Sequence, residues 1–388
     1  MQQPPRNIIL SAAMPALFMV LTAPACAWFS MGLPWDPSLR GDTHERVSKN
    51  AVDAIATEAP DMDRSGAMGA FIWEATEGFK DDAKAHDGNG KANDGNYRKY
   101  WRLALKRYNG MHFNGRGHGK MSKFEMNCGA YWYIGRMLHL VEDMAVPAHA
   151  YNIFHARGLN FDNFELNAGH RYRKGPVTPL ILSTTDPLAY HDAARDRTIE
   201  VIENDLIPPP QGKRWRDYWG PRKYGPADDT FPKRYPKGNA AENALMANQL
   251  AQARDYGAGF LLAVSKALPP LVKNVHSNVD ARDDGLYNVK LSFTVLENRK
   301  PDVTLFMETE GGDLLQGTDL AAGRSETLGK GEALPWMKNF SMQWGVRGVP
   351  GSQVTIKILV RDADGNVSVP AKTTLKFRKH TSLNNIHF

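Results

Sequence analysis

Cysteine is nearly missing from this chain. Only Cys26 and Cys128 occur in 388 residues, too few for a disulfide-stapled scaffold. Apolar runs of membrane-spanning length are missing too. The stretch from Ile8 to Leu21 is about 14 residues long, against the ~20 that a spanning helix needs. Neither a Walker-type glycine loop nor a Gly-x-Ser-x-Gly elbow is present, which counts against nucleotide-driven and serine-hydrolase chemistry. There is no internal repeat, and neither sign of charge dominates. Forty-eight Lys and Arg stand against 42 Asp and Glu, a net +6 that favours anionic surfaces without marking a nucleic-acid binder.

What is present is an ordinary globular composition, 42% hydrophobic and 23% charged, in a chain long enough for two domains. Residues 1–27 read as a signal peptide: Arg6 is followed by the apolar stretch, and Ala25-Cys26-Ala27 forms a small-x-small cleavage site. Cleavage there exposes Trp28, removes Cys26 and Arg6, and leaves a secreted or periplasmic protein with no internal disulfide and no membrane span. The rival reading is a lipoprotein acylated at Cys26.

From about Asp42 to Leu268 the segments read as helices. Ala130, Ile134, Met137, Leu138, Val141 and Ala145 recur at helical spacing, and Pro147 is expected to stop that helix. A second long helical segment runs up to Pro269-Pro270. Beyond these prolines come short runs such as "LYNVKLSFTV" and "QVTIKILV", rich in β-branched residues and separated by turns such as Asp364-Gly365-Asn366. This half, 273–388, reads as a small β-sandwich, Ig-like or C2-like, following a helical catalytic domain at 28–272. Between Ile207 and Gly238 lies an insertion in which Trp215, Tyr218, Trp219, Tyr224, Phe231 and Tyr235 alternate with basic residues. Two readings stay open for it: a membrane-interface element, or a loop folded over the helical half.

The strongest local motif is "HLVEDMAVPAHA". His139 and Asp143 are four apart on one helix face and can share a metal, whereas Glu142 leaves that face. Alone the pair is weak evidence, since about one such pair arises by chance in this composition and His276 with Asp280 is another. Its bland reading is a core histidine with a satisfied partner. The company strengthens the metal reading: nine of the twelve histidines fall within residues 28–272, among them His44, His112, His149 and His155, with Glu165 nearby. Imidazole and carboxylate are the expected ligands of zinc.

In these motifs the chain resembles the zinc-dependent phospholipases C, relatives of the P1/S1 nucleases. The resemblance covers roughly residues 28–267 and lies in the combination of Trp28, Thr43-His44, His112-Phe113, His139-x-x-x-Asp143 and Pro147-x-His149-Ala150. It implies two to three zinc ions. One would be held by His112, His139 and Asp143, a second by Trp28, His44 and Asp143, with Asp143 bridging. A third would use His149, Glu165 and another residue, and Phe161 stands where that family commonly has a histidine. His155 is the first substitute, with Asp162 or His170 as alternatives. The carboxylate that orients the attacking water is Asp82 or Asp81, with Asp82 preferred.

The resemblance implies a secreted phospholipase C, acting as a monomer on phospholipid at membrane surfaces, with a β-domain of the kind that engages membranes in toxin-like members. The alternatives are a P1/S1-like nuclease or nucleotidase, stacking a base on Tyr100, Trp101 or Phe113, and a non-catalytic binding protein stabilised by zinc.

Overall fold

A computed structural model describes residues 43–59, 62, 90–113, 129–151, 164, 167–168, 173–219, 231, 239–281, 286–297, 303–310, 325–328 and 337–378. The signal-peptide reading falls outside these residues. So do the ligand and catalytic expectations for Trp28, Asp81, Asp82, His155, Asp162, Glu165 and His170.

Six α-helices precede the strands among the described residues: α1 (Thr43–Ile55), α2 (Gly90–Asn109), α3 (Ala130–Asp143), the short α4 (Pro147–Ala150), α5 (Ala189–Glu203) and α6 (Ala240–Ala267). In α1, His44, Val47, Ser48, Ala51, Val52 and Ile55 follow helical spacing, and all six are buried. All fourteen residues of α3 are buried, so it is the central helix. It ends at Asp143, before the proline expected to stop it. Pro147 instead opens α4 from its first position, where a missing N–H costs nothing. The longest helix, α6, starts with a reciprocal cap between Asn239 and Glu242.

Two apolar clusters fill the helical half. One gathers Ile55, Leu138, Val141, Phe260 and Val264, and the other Val47, Ala145, Phe164, Leu250 and the described aromatics Trp215, Tyr218, Trp219 and Phe231 of the 207–238 insertion. Trp215, Tyr218, Trp219 and Phe231 are at most 3% exposed. Trp219 and Phe231 stack with centroids 5.5 Å apart, and the Trp215 indole donates to the Ile207 carbonyl at 2.6 Å. This corrects the interface reading for those four aromatics. They build a core, because a segment lying against the helices buries its rings there and leaves its charges outside. Arg214 and Arg216 accordingly pair with Asp205 and Glu203 at the surface.

The strands follow: β1 (Leu271–Ala281), β2 (Leu286–Leu296), β3 (Val303–Glu310), β4 (Ser325–Leu328), β5 (Met337–Arg347), β6 (Gln353–Arg361) and β7 (Ala371–Lys376). They form two antiparallel sheets, ordered β1-β2-β5 and β4-β3-β6-β7. Val289, Leu291 and Phe293 of one sheet and Leu305, Ile356 and Ile358 of the other share a single core. The two halves of the chain also touch. Leu271 and Leu296, cross-strand neighbours, belong to the helical core, and the Asn366 side chain donates to the Lys266 carbonyl at 2.7 Å. That bond satisfies an end carbonyl of α6.

Candidate metal centre

Three of the expected ligands meet in the helical half. His44, near the start of α1, and His139 and Asp143, one turn apart on α3, bring ligand atoms within 4.8 Å of one another. The two carboxylate oxygens of Asp143 point at different imidazoles: Oδ1 lies 3.2 Å from His44 Nε2, and Oδ2 lies 3.5 Å from His139 Nε2. The rings themselves lie close and tilted by 30°, with centroids 4.1 Å apart. All three residues are buried, at 0, 4 and 0% exposure for His44, His139 and Asp143. Two imidazoles and a carboxylate converging in a buried site form a donor set suited to a divalent transition metal. The group could hold a metal ion.

Packing around the carboxyl end of α3 fixes this geometry. Thr198 on α5 donates to the Met144 carbonyl at 2.7 Å, and Gln249 on α6 donates to the Ala145 carbonyl at 2.7 Å. Gln249 and Gln252 both donate to the Thr198 hydroxyl, at 3.1 and 2.7 Å. The carbonyls just past Asp143 are thus held by side chains of two other helices, leaving the aspartate little freedom to tilt. Helix α6 comes close enough because Gly257 has no side chain. A Cβ there would lie 3.2 Å from Leu138 Cδ1 and 3.7 Å from Glu142 Oε1.

Glu142 is the residue that the sequence assigned no role. Its Oε2 is 2.6 Å from His44 Nδ1, and its Oε1 accepts from the Ser48 hydroxyl at 2.7 Å. Burial pushes its carboxyl above the ordinary glutamate range, while the hydrogen bonds from His44 and Ser48 pull it back down. No helical period could have found it, since its partners lie on α1, almost a hundred residues earlier.

Other expected ligands lie apart from this group. His112 is exposed just after α2, and its carbonyl accepts from the Ala130 N–H at 2.8 Å. That contact pins it to the first turn of α3, nine residues and about 13 Å of helix axis from His139. His149 is buried in α4 but lies outside the three-residue group. His276 and Asp280, the chance pair, alternate along the exposed face of β1. Of the rings considered for base stacking, Tyr100 is buried against Tyr133 and beneath the Arg136 guanidinium.

No family model matches the chain, and no curated protein matches it. Among solved structures the chain is similar to the Alpha Toxin from Clostridium absonum, with a TM-score of 0.33 and 11% identity over 87% of this chain and 96% of that one. A likeness of that size says nothing about activity. Among the described residues, no helix is long and apolar enough to cross a membrane.

Proposed function

We propose that the protein is a secreted zinc-dependent phosphodiesterase, acting as a phospholipase C on glycerophospholipids, with the helical half as catalytic domain and 273–388 as accessory domain. The supporting observation is the buried convergence of His44, His139 and Asp143 on one point. Zinc bound there would supply Lewis acidity, neutralising anionic phosphate oxygens and bringing the pKa of a water towards neutrality. The residues do the rest. Asp143 offers one oxygen towards each histidine and so suits a bridging position between two ions. Trp28 is the proposed further ligand beside His44, and His149, His155 and Glu165 are proposed for another ion. Asp82 is proposed to orient the attacking water. His112 is proposed as the further ligand beside His139, its backbone joined to the start of α3 through the Ala130 N–H.

A second reading, a structural ion in a non-catalytic protein, draws on the near-complete burial of all three residues, since structural zinc sites are closed and catalytic ones keep an open position. One experiment separates the readings. Purified full-length protein is assayed for metal content and for hydrolysis of short-chain phosphatidylcholine, phosphatidylethanolamine and single-stranded DNA, with and without chelator. Two to three zinc ions and chelator-sensitive lipid hydrolysis are expected. Bound zinc with no hydrolysis supports the structural ion, rapid DNA cleavage with lipids spared supports the nuclease alternative, and absence of zinc ends the metal reading.

A further inference from the structure

We infer that Glu142 is a positioning residue of this centre: through its contact with Nδ1 it orients the His44 ring so that Nε2 is the nitrogen offered to the ion. The inference rests on the proposed zinc reading of the His44, His139 and Asp143 group. A neutral imidazole has one N–H and one lone pair, and a ligating nitrogen must present the lone pair. An ionised Glu142 carboxylate can only accept, so with Oε2 2.6 Å from Nδ1 the inferred tautomer carries its proton on Nδ1. In that tautomer Nε2 offers its lone pair beside Asp143 Oδ1, 3.2 Å away, close enough for the two atoms to share one cation.

The carboxylate is itself held. Ser48, one turn after His44 on the same helix, donates to its other oxygen at 2.7 Å, so α1 presents both the ligand and the clamp on the residue that orients it. If position 142 served packing alone, an apolar side chain would be the cheaper occupant, because a fully buried carboxylate carries a desolvation penalty that burial of leucine does not. Partners that orient metal-bound histidines in this way typically alter metal affinity 10- to 100-fold.

The test compares full-length wild type with E142L, E142Q and S48A. Zinc affinity is measured by competition with a chromophoric chelator, and the ring-proton signal of His44 by NMR of the zinc-loaded, 15N-histidine-labelled protein. Expected for E142L is zinc binding weaker by about 10- to 100-fold, with loss of the protected Nδ1–H signal. E142Q keeps an amide oxygen to accept that proton, so it should retain the signal and lose less than about tenfold. S48A should fall between wild type and E142L. A purely structural Glu142 would lower the melting temperature without moving zinc affinity. Wild-type affinity in E142L, or a zinc-loaded wild type carrying the His44 proton on Nε2, overturns the inference while leaving the centre intact. Absence of zinc binding in wild type overturns both. If E142L fails to fold, E142Q, S48A and the wild-type spectrum still decide.

Discussion

Asp143 spreads its two oxygens between two imidazoles, so changing it touches both sides of the group at once. Asn at 143 keeps the shape but removes the charge and one of the two equivalent oxygens. D143N is therefore expected to weaken zinc binding by at least about 100-fold, beyond the range of a residue acting through another ligand. E200Q on the exposed side of α5 should leave affinity unchanged, as surface changes usually do. Isothermal titration with zinc checks both, and equal effects would remove Asp143 from the centre. At this scale the sequence was readable wherever partners are near in the chain. His139 and Asp143 share a face by counting alone. Glu142 did not show itself, because a periodic pattern says which way a side chain leaves its own helix and nothing of the histidine it meets on another. For His112 the motif was legible, but not its place just after α2 with its carbonyl accepting from the Ala130 N–H.

Helices α3 and α6 were legible from their long apolar segments and the prolines after them. The strands β2 and β6 were legible from their β-branched and aromatic content. β1 was not, since its run of Asn, Ser, His and Asp reads as polar chain, and it becomes a strand only by pairing with β2. The insertion shows the same limit from the other side: aromatics among basic residues fit an interface and a core equally well until packing decides. Within α6, propensity and packing pull in opposite directions at Gly259. Alanine would gain up to about 1 kcal/mol as a helix former. Yet a Cβ there would collide with the backbone carbonyl of Leu180 and come within 2.9 Å of the Tyr190 ring. The carbonyl belongs to a segment held by the Leu180 N–H donating to Asp255 O at 2.9 Å, so it yields poorly. G259A should therefore lose about 1–3 kcal/mol net, read as a lower urea midpoint at unchanged slope. A gain in midpoint would mean that the loop carrying Leu180 moves freely.

The described residues show specific contacts between the two halves of the chain, and these decide whether they behave as one body. Leu271 and Leu296 belong to strands yet sit in the helical core, and Asn366 caps α6 from a turn whose own shape is fixed by Asp362, which accepts from the Asn366 backbone and side chain at 2.8 Å each. A cavity of about 380 Å³ borders the same junction, lined by Trp101, Asp186, Lys266 and Asp364 among others, so the contact is partial and its apolar members matter the more. Deleting the sheets at residue 272 would cut β1 and strip Leu296 from the helical core, which makes a point variant the cleaner probe. Leu296→Ala removes a buried side chain at 3% exposure and should cost about 2–5 kcal/mol. If the junction couples the halves, hydrogen exchange should speed up together in the last two turns of α6 and in the β2–β5 ladder. The His44, His139 and Asp143 group lies on other helices, so zinc affinity should hold while the protein remains folded. Faster exchange confined to the ladder, with α6 as protected as before, would show that the halves unfold independently and that the shared leucines only touch.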